Sequence, residues 1–129
     1  MSWVPPDFSV PRLAEAVERL SAEQVDALPF GAVLLDPTGA VVRYSNTERR
    51  QSGFPHAVEG RLFFTDIAPC MNTPSLKGRI DRAMAAGLLD IEFEHIGDFT
   101  DRSRSLFVRI QSASSGGYWI FINRDLSGT

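Results

Sequence analysis

Four side chains in the middle of the sequence have types and spacings that could do chemistry. Tyr44, Glu48 and Ser52 follow one another at intervals of four residues, so on a helix their side chains would share one face. Cys70, the only cysteine, follows an apolar run that ends in Pro69. Such groups could hydrogen-bond a ligand, exchange a proton or, for the thiol, act as a nucleophile.

Each of these residues also has an ordinary structural interpretation. A lone cysteine after an apolar run is most often an inert buried residue. Glu48 is flanked by Arg49 and Arg50, a pattern typical of a solvated surface acid. Tyr44 at the end of a strand would usually lie at the edge of the core. Taken singly, none of these residues identifies a function.

Composition excludes several classes of protein. The 129 residues suffice for one domain, and a net charge of −3 argues against a general nucleic-acid surface. No apolar run approaches the length of a membrane span, and the N-terminus lacks the pattern of a signal peptide. One cysteine precludes an internal disulfide and a cysteine-rich zinc site, and His56 and His95 share no metal-ligand spacing. We therefore expect no metal, no membrane contact and a cytoplasmic location.

The apolar pattern predicts a helical cap over residues 1–28 and one core domain over residues 29–125. A capping box at Ser21 and Gln24 opens the second helix of the cap. The core begins with a hairpin, continues through a short helix ending near Gly53 and a longer helix between Thr73 and Gly87, and ends in three strands. The predicted strands are Phe30–Asp36, Ala40–Tyr44, Asp90–Asp98, Arg104–Ala113 and Tyr118–Arg124, with an irregular segment over Phe54–Pro69. This order predicts an α+β domain whose single antiparallel sheet hides one face under the helices.

Four blocks of the sequence together resemble the photoactive yellow protein family of light-sensing PAS domains. They are Phe30–Asp36, Tyr44 with Glu48, the run Gly60–Cys70 that contains Phe-Phe-Thr-Asp-Ile-Ala-Pro-Cys, and Tyr118–Phe121. The resemblance extends from about Leu13 to Arg124. It implies a PAS fold, with a five-stranded antiparallel sheet flanked by helices and preceded by an N-terminal helical cap.

The resemblance also implies roles for individual residues. Cys70 would carry 4-hydroxycinnamic acid (p-coumaric acid) as a covalent thioester, and Tyr44 and Glu48 would hydrogen-bond the phenolate oxygen of this pigment. Ser52 would support Tyr44 with its hydroxyl. The residues expected to line the pocket are Val33, Phe54, Ile67, Ala68 and Phe99.

The chemistry of such a site explains why these residue types are needed. A phenol has a pKa near 10, so two donors aimed at its oxygen are required to keep it ionised at neutral pH. Burial raises the pKa of a carboxyl group, which would keep Glu48 protonated and able to donate. Light would isomerise the pigment from trans to cis, and Glu48 would then lose its proton to the phenolate. An isolated carboxylate in an apolar interior is costly, so we expect it to loosen the packing and release the cap.

The implied function is that of a photoreceptor rather than an enzyme. Its signal would pass to an unidentified protein partner, and the chain itself would be a monomer or weak dimer. Two positions depart from the family: Phe54 stands where an Arg is usual, and Asp101 where a Met speeds the return from cis to trans. The second departure predicts slow recovery in the dark.

Other functions fit the sequence less well. A flavin-binding PAS domain would need an Asn-Cys-Arg-Phe block, which the sequence around Cys70 does not supply, and neither His56 nor His95 is well placed to bind haem. A cysteine hydrolase would need a base near Cys70 in an identifiable motif, and the sequence around Cys70 contains no such motif. A PAS interaction or ligand-binding module that carries no pigment remains an alternative.

Overall fold

The structure, a computed structural model, describes residues 4–53, 57–97 and 103–124, and of Cys70 it describes the backbone only. Within these ranges the strands and helices lie close to their predicted bounds. The helices are α1 (Leu13–Glu18), α2 (Ala22–Asp26), α3 (Asn46–Ser52) and α4 (Pro74–Ala86); the strands are β1 (Gly31–Leu35), β2 (Val41–Tyr44), β3 (Asp90–Ile96), β4 (Ser105–Ser112) and β5 (Tyr118–Arg124). No helix of the described part is long and apolar enough to cross a membrane.

The five described strands form one antiparallel sheet in the order β2-β1-β5-β4-β3. β1 lies between β2 and β5, so the first strand of the core pairs with the last. Val33 is opposite Ile120 in this pairing, and Gly31 is opposite Ile122. The predicted α+β class and five-stranded sheet are therefore confirmed.

The main core lies between one face of the sheet and α4. Successive strand residues point to opposite faces, so Tyr118, Ile120 and Ile122 of β5 all lie in this core. Ile80 of α4 packs into it, as does Phe63. Thr73 caps the first turn of α4 by accepting a hydrogen bond from the backbone N–H of Leu76, as its position before Pro74 predicts.

One short helical turn lies in the segment predicted to be irregular, and a second begins at the last residue of that segment. Phe63–Ile67 forms a π-helical turn, and Pro69–Met71 forms a 3-10 turn that includes the backbone of Cys70. The Ala68 N–H donates to the carbonyl of Phe63 at 2.7 Å, the spacing of five residues that defines a π turn. Sequence periodicity missed this turn because five residues are too few to show a period.

The cap covers the opposite face of the sheet. Leu13 and Val17 of α1 pack with Phe30, Trp119 and Phe121 in a second apolar cluster. The rings of Trp119 and Phe121 are stacked, with their centres 5.6 Å apart. Helices thus cover both faces of the sheet, and the predicted N-terminal cap, with α1 and α2, supplies the second layer.

Polar side chains of the sheet hold the N-terminal segment in place. Arg109 of β4 donates hydrogen bonds to the carbonyl oxygens of Phe8, Val10 and Pro11. Gln111, two residues further along β4, accepts from the Ala14 N–H at 2.8 Å and donates to the Pro11 carbonyl at 2.9 Å. The cap is therefore fastened through backbone carbonyl groups as well as through apolar packing.

Candidate functional site

Ser45 fixes the start of α3 against β1. Its hydroxyl accepts hydrogen bonds from the backbone N–H groups of Glu48 and Ala32, at 3.2 and 3.0 Å, and its own N–H donates to the Ala32 carbonyl at 2.9 Å. This is an N-cap that also binds the neighbouring strand. The helix ends at Gly53, whose φ of 67° lies in the left-handed region. Both ends of α3 are thus set by residue types that favour the ends of helices.

The structure brings together in the interior Tyr44, which ends β2, and Glu48 and Ser52, which lie one turn apart on α3. The Tyr44 hydroxyl is 3.2 Å from Ser52 Oγ and 3.5 Å from Glu48 Oε2. All three residues are buried. The interpretation of Glu48 as a solvated surface acid is therefore wrong.

Glu48 forms a buried ion pair with Arg124, the last residue of β5. Arg124 Nη1 donates to Oε1 at 2.6 Å and Nη2 donates to Oε2 at 2.8 Å. The side chains of Arg124 and Glu48 are 0% and 1% exposed, respectively. This two-point geometry matches a carboxylate rather than a protonated acid. The expectation that an ionised Glu48 would stand isolated in an apolar interior is wrong, because a guanidinium group contacts both of its oxygens.

Arg124 was not among the residues that the sequence predicted at this site. The signal that could have found it is alternation along β5, which places Arg124 on the same face as Tyr118, Ile120 and Ile122. A single arginine on an otherwise apolar face requires a buried partner. The alternation alone does not say which acid supplies it.

Burial also controls the ionisation of Tyr44. It raises the pKa of the phenol above the ordinary value of 10.0, and the negative charge of Glu48 raises this pKa further. The hydrogen bond between Tyr44 and Ser52 and the charges of Arg124 and Arg49 oppose the rise only in part. Tyr44 therefore remains protonated at neutral pH and keeps a proton to donate.

Gly31 of β1 leaves room for the Glu48 carboxyl group. A Cβ atom at this position would lie 2.0 Å from Glu48 Oε1 and 3.0 Å from its Cδ. Side-chain carbons do not approach one another or oxygen so closely, so any larger residue here must displace Glu48. The position of the carboxyl group thus depends on a glycine in the neighbouring strand.

We expect Gly31→Ala to lower the free energy of unfolding by about 1–3 kcal/mol, because the added methyl group overfills the site and strains the ion pair with Arg124. Urea unfolding measures the change. Gly78→Ala in α4 is the matched control: it should raise stability by about 0.5–1 kcal/mol, since alanine favours a helix interior. Equal effects of the two variants would contradict this account of Gly31.

Three of the residues expected to line a pocket lie beside this cluster in the main core. Val33, Ile67 and Ala68 are 0%, 1% and 2% exposed and belong to the same apolar cluster as Tyr44. Their role in lining a pocket remains a prediction. The other two, Phe54 and Phe99, lie outside the described residues, as do Asp101 and the side chain of Cys70.

The site combines groups that can bind an anion and transfer a proton. The Tyr44 hydroxyl, the Glu48 carboxyl group and the Arg124 guanidinium lie in one buried polar cluster within an apolar wall. Hydrogen bonds and charges act strongly in such surroundings because little water screens them. Among the described residues, no group of three or more His, Cys, Asp and Glu side chains is placed to hold a metal ion.

The chain is similar to several known proteins over most of its length. It is 35% identical over 119 residues to the photoactive yellow protein of Rhodothalassium salexigens and 31% identical over 119 residues to that of Halochromatium salexigens. Each alignment covers 91% of this chain and 95% of the relative. Its fold matches the crystal structure of the photoactive yellow protein domain from the sensor histidine kinase Ppr of Rhodospirillum centenum, with a TM-score of 0.71 and 37% identity over 83% of this chain and 95% of that one. No family model matches.

Proposed function

The chain belongs to the photoactive yellow protein family of PAS-fold photoreceptors, and we propose that it senses blue light through a p-coumaroyl group bound as a thioester to Cys70. The observation that carries the proposal is the buried cluster of Tyr44, Glu48 and Ser52. These groups bond to one another and to Arg124, and the hydroxyl groups of Tyr44 and Ser52 can also donate to the oxygen of a bound ligand.

The residues present fit the proposed pigment. When bound, the p-coumaroyl group would absorb blue light, isomerise from trans to cis and become more basic at its phenolate oxygen. Tyr44, which the surroundings keep protonated, would donate a hydrogen bond to that oxygen. Ser52 would orient the Tyr44 hydroxyl, and Glu48 would hold the proton that moves after illumination. The apolar side chains of Val33, Ile67 and Ala68 would exclude water.

A change at Glu48 has a short route to the cap. The Thr47 hydroxyl, next to Glu48 in α3, donates to the carbonyl oxygen of Leu28 and contacts that of Asp26 at 3.1 Å. Asp26 in turn accepts from the Asn46 N–H at 3.1 Å. A shift of α3 would therefore break contacts to the end of the cap, which supports the proposal that light releases it. The boundary between cap and core at residues 28 and 29 is part of this proposal.

We expect Arg109→Met to loosen the cap in the dark, because it removes three charge-assisted hydrogen bonds to backbone carbonyls. The free energy that holds the cap on the sheet should fall by about 1.5–3 kcal/mol. Hydrogen exchange of residues 4–28 measures this change, and Arg82→Met, at an exposed position of α4, is the control. Unchanged exchange in Arg109→Met would show that the hydrogen bonds of Arg109 do not help to hold the cap.

Reconstitution tests the proposed function directly. The chain is expressed, treated with an activated ester of p-coumaric acid and purified. We expect a visible absorption band, a mass gain of one coumaroyl group and bleaching of the band by blue light. A chain that stays colourless would overturn the proposal and favour a PAS module that carries no pigment.

The receiver of the signal is proposed to be another protein. The similar domain in the sensor histidine kinase Ppr suggests that signalling proteins can receive the output of such a domain. We propose a cytoplasmic location and a chain that acts without catalysing a reaction. Asp101, in place of a Met, is proposed to make dark recovery slow.

A further inference from the structure

Arg124 reaches Glu48 from the last strand of the core, 76 residues further along the chain. Both guanidinium nitrogens at its end bind the carboxyl group, at 2.6 and 2.8 Å. The pair lies beside the Tyr44 hydroxyl, which is 3.5 Å from Glu48 Oε2. The polar cluster proposed to bind the pigment therefore contains a permanent positive charge.

This charge decides which protonation states the site can hold. A guanidinium group does not release its proton in proteins, so Arg124 is always a cation. A buried charge is tolerated only with a partner of opposite sign. With one carboxylate beside Arg124 the site is neutral, whereas a protonated Glu48 would leave the cation unbalanced unless another anion lay nearby.

We propose that Arg124 is the counter-ion of the site: it holds Glu48 as a carboxylate in the pigment-free chain and balances the single negative charge of the loaded site. This inference rests on the proposed function only for its second half. In the loaded site one proton is shared between Glu48 and the phenolate oxygen. Its transfer breaks the O–H bond of Glu48 and forms one on the phenol, so the negative charge moves to Glu48 and the total charge stays the same.

Among the described residues, the other charges near the site do not supply the same balance. The Arg49 guanidinium carbon lies 5.4 Å from the centre of the Tyr44 ring, but this side chain is 40% exposed and binds Glu59 at the surface. Tyr44 and Ser52 are neutral hydroxyl donors, and Gly31 of β1 presents only backbone to Glu48. Arg124 is the buried cation that the structure places on the carboxyl group.

A double-mutant cycle in the pigment-free chain tests the first half of the proposal. Glu48→Gln and Arg124→Met should each lower the folded-to-unfolded ratio by about a hundredfold to a few thousandfold in urea unfolding, because each leaves the other group without its ionic partner. The double variant should lose far less than the product of the two changes. Additive losses would overturn the ion pair, and Arg82→Met on the surface of α4 should change little.

Infrared spectroscopy of the same chain reports the charge of Glu48, which a purely structural role of Arg124 would not change. If Glu48 is a carboxylate in the parent chain, the spectra of the parent and of Glu48→Gln should not differ in the region of the protonated-carboxyl band. A protonated-carboxyl band of Glu48 should appear in Arg124→Gln, because glutamine is neutral and leaves the carboxylate without its cation. Glutamine also retains amide donors, so this variant replaces Arg124→Met if the latter does not fold. Arg124→Lys should restore the carboxylate. A protonated Glu48 in the parent chain would overturn this half.

The loaded protein tests the second half. The pH midpoint of the visible band should rise by about 1–3 pH units in Arg124→Gln, because removal of a nearby cation disfavours the phenolate. It should return toward the parent value in Arg124→Lys. An unchanged midpoint in Arg124→Gln would overturn the role of Arg124 toward the pigment. If the parent chain does not take up pigment, the proposed function is contradicted, but the ion pair is not. The two experiments on the pigment-free chain then decide whether Arg124 is the counter-ion of Glu48.

Discussion

Cys70→Ala is expected to leave the chain colourless and without mass gain after treatment with activated p-coumaric acid. The variant lacks the sulfur that would form the thioester, and the sequence contains no second cysteine to replace it. The visible band should therefore disappear rather than weaken. Absorbance spectra and intact-mass spectrometry of the parent and variant chains, treated side by side, measure the effect.

Two controls separate loss of attachment from loss of folding. Cys70→Ala removes one sulfur atom, so its far-ultraviolet circular dichroism should resemble that of the parent chain. Met71→Leu, a volume-conserving change at the next residue of the same 3-10 turn, should still take up one coumaroyl group. A coumaroyl mass gain in Cys70→Ala would show that another residue is acylated and would refute the assignment of the attachment site.

Glu48→Gln is expected to abolish the light-driven release of the cap. Glutamine can donate a hydrogen bond from its amide but has no acidic proton to give up, so illumination would leave no new negative charge on α3. An amide N–H is also a weaker donor toward an anion than a carboxyl O–H, so the visible band should shift. Hydrogen exchange of residues 4–28, measured in the dark and under blue light, should show a difference in the parent chain and none in the variant.

A conservative change at an exposed acid provides the comparison for this experiment. Glu15→Gln in α1 alters a side chain that is 57% exposed, and the loaded variant should keep both the band and the light-driven exchange of the parent. Because Glu48→Gln also removes the partner of Arg124, Tyr44→Phe is a useful second variant: it should shift the band while the response to light remains. An unchanged band together with unchanged cap release in Glu48→Gln would refute the proposed role of Glu48 as proton donor.

Local spacing explains why much of this protein could be predicted from its sequence. Glu48 and Ser52 share a face of α3 because four residues are close to one helical turn, and Tyr44 is the strand residue that comes just before this helix. Ser45 and Gly53 bound α3 through interactions with their immediate neighbours. The strand bounds followed from alternation and turn residues for the same reason, and the run ending in Cys70 indicated the family. Each of these features depends on residues that are close in sequence.

Tertiary structure alone decided which groups surround Glu48. The pairing of β1 with β5 brings Arg124 and Gly31 to the same carboxyl group, one as its ionic partner and the other as the space that it occupies. Contacts between residues 76 positions apart depend on strand order and register, which no local pattern specifies. The sequence alone therefore predicted a buried acid with a hydroxyl neighbour, but only the assembled sheet showed that this acid has a counter-ion.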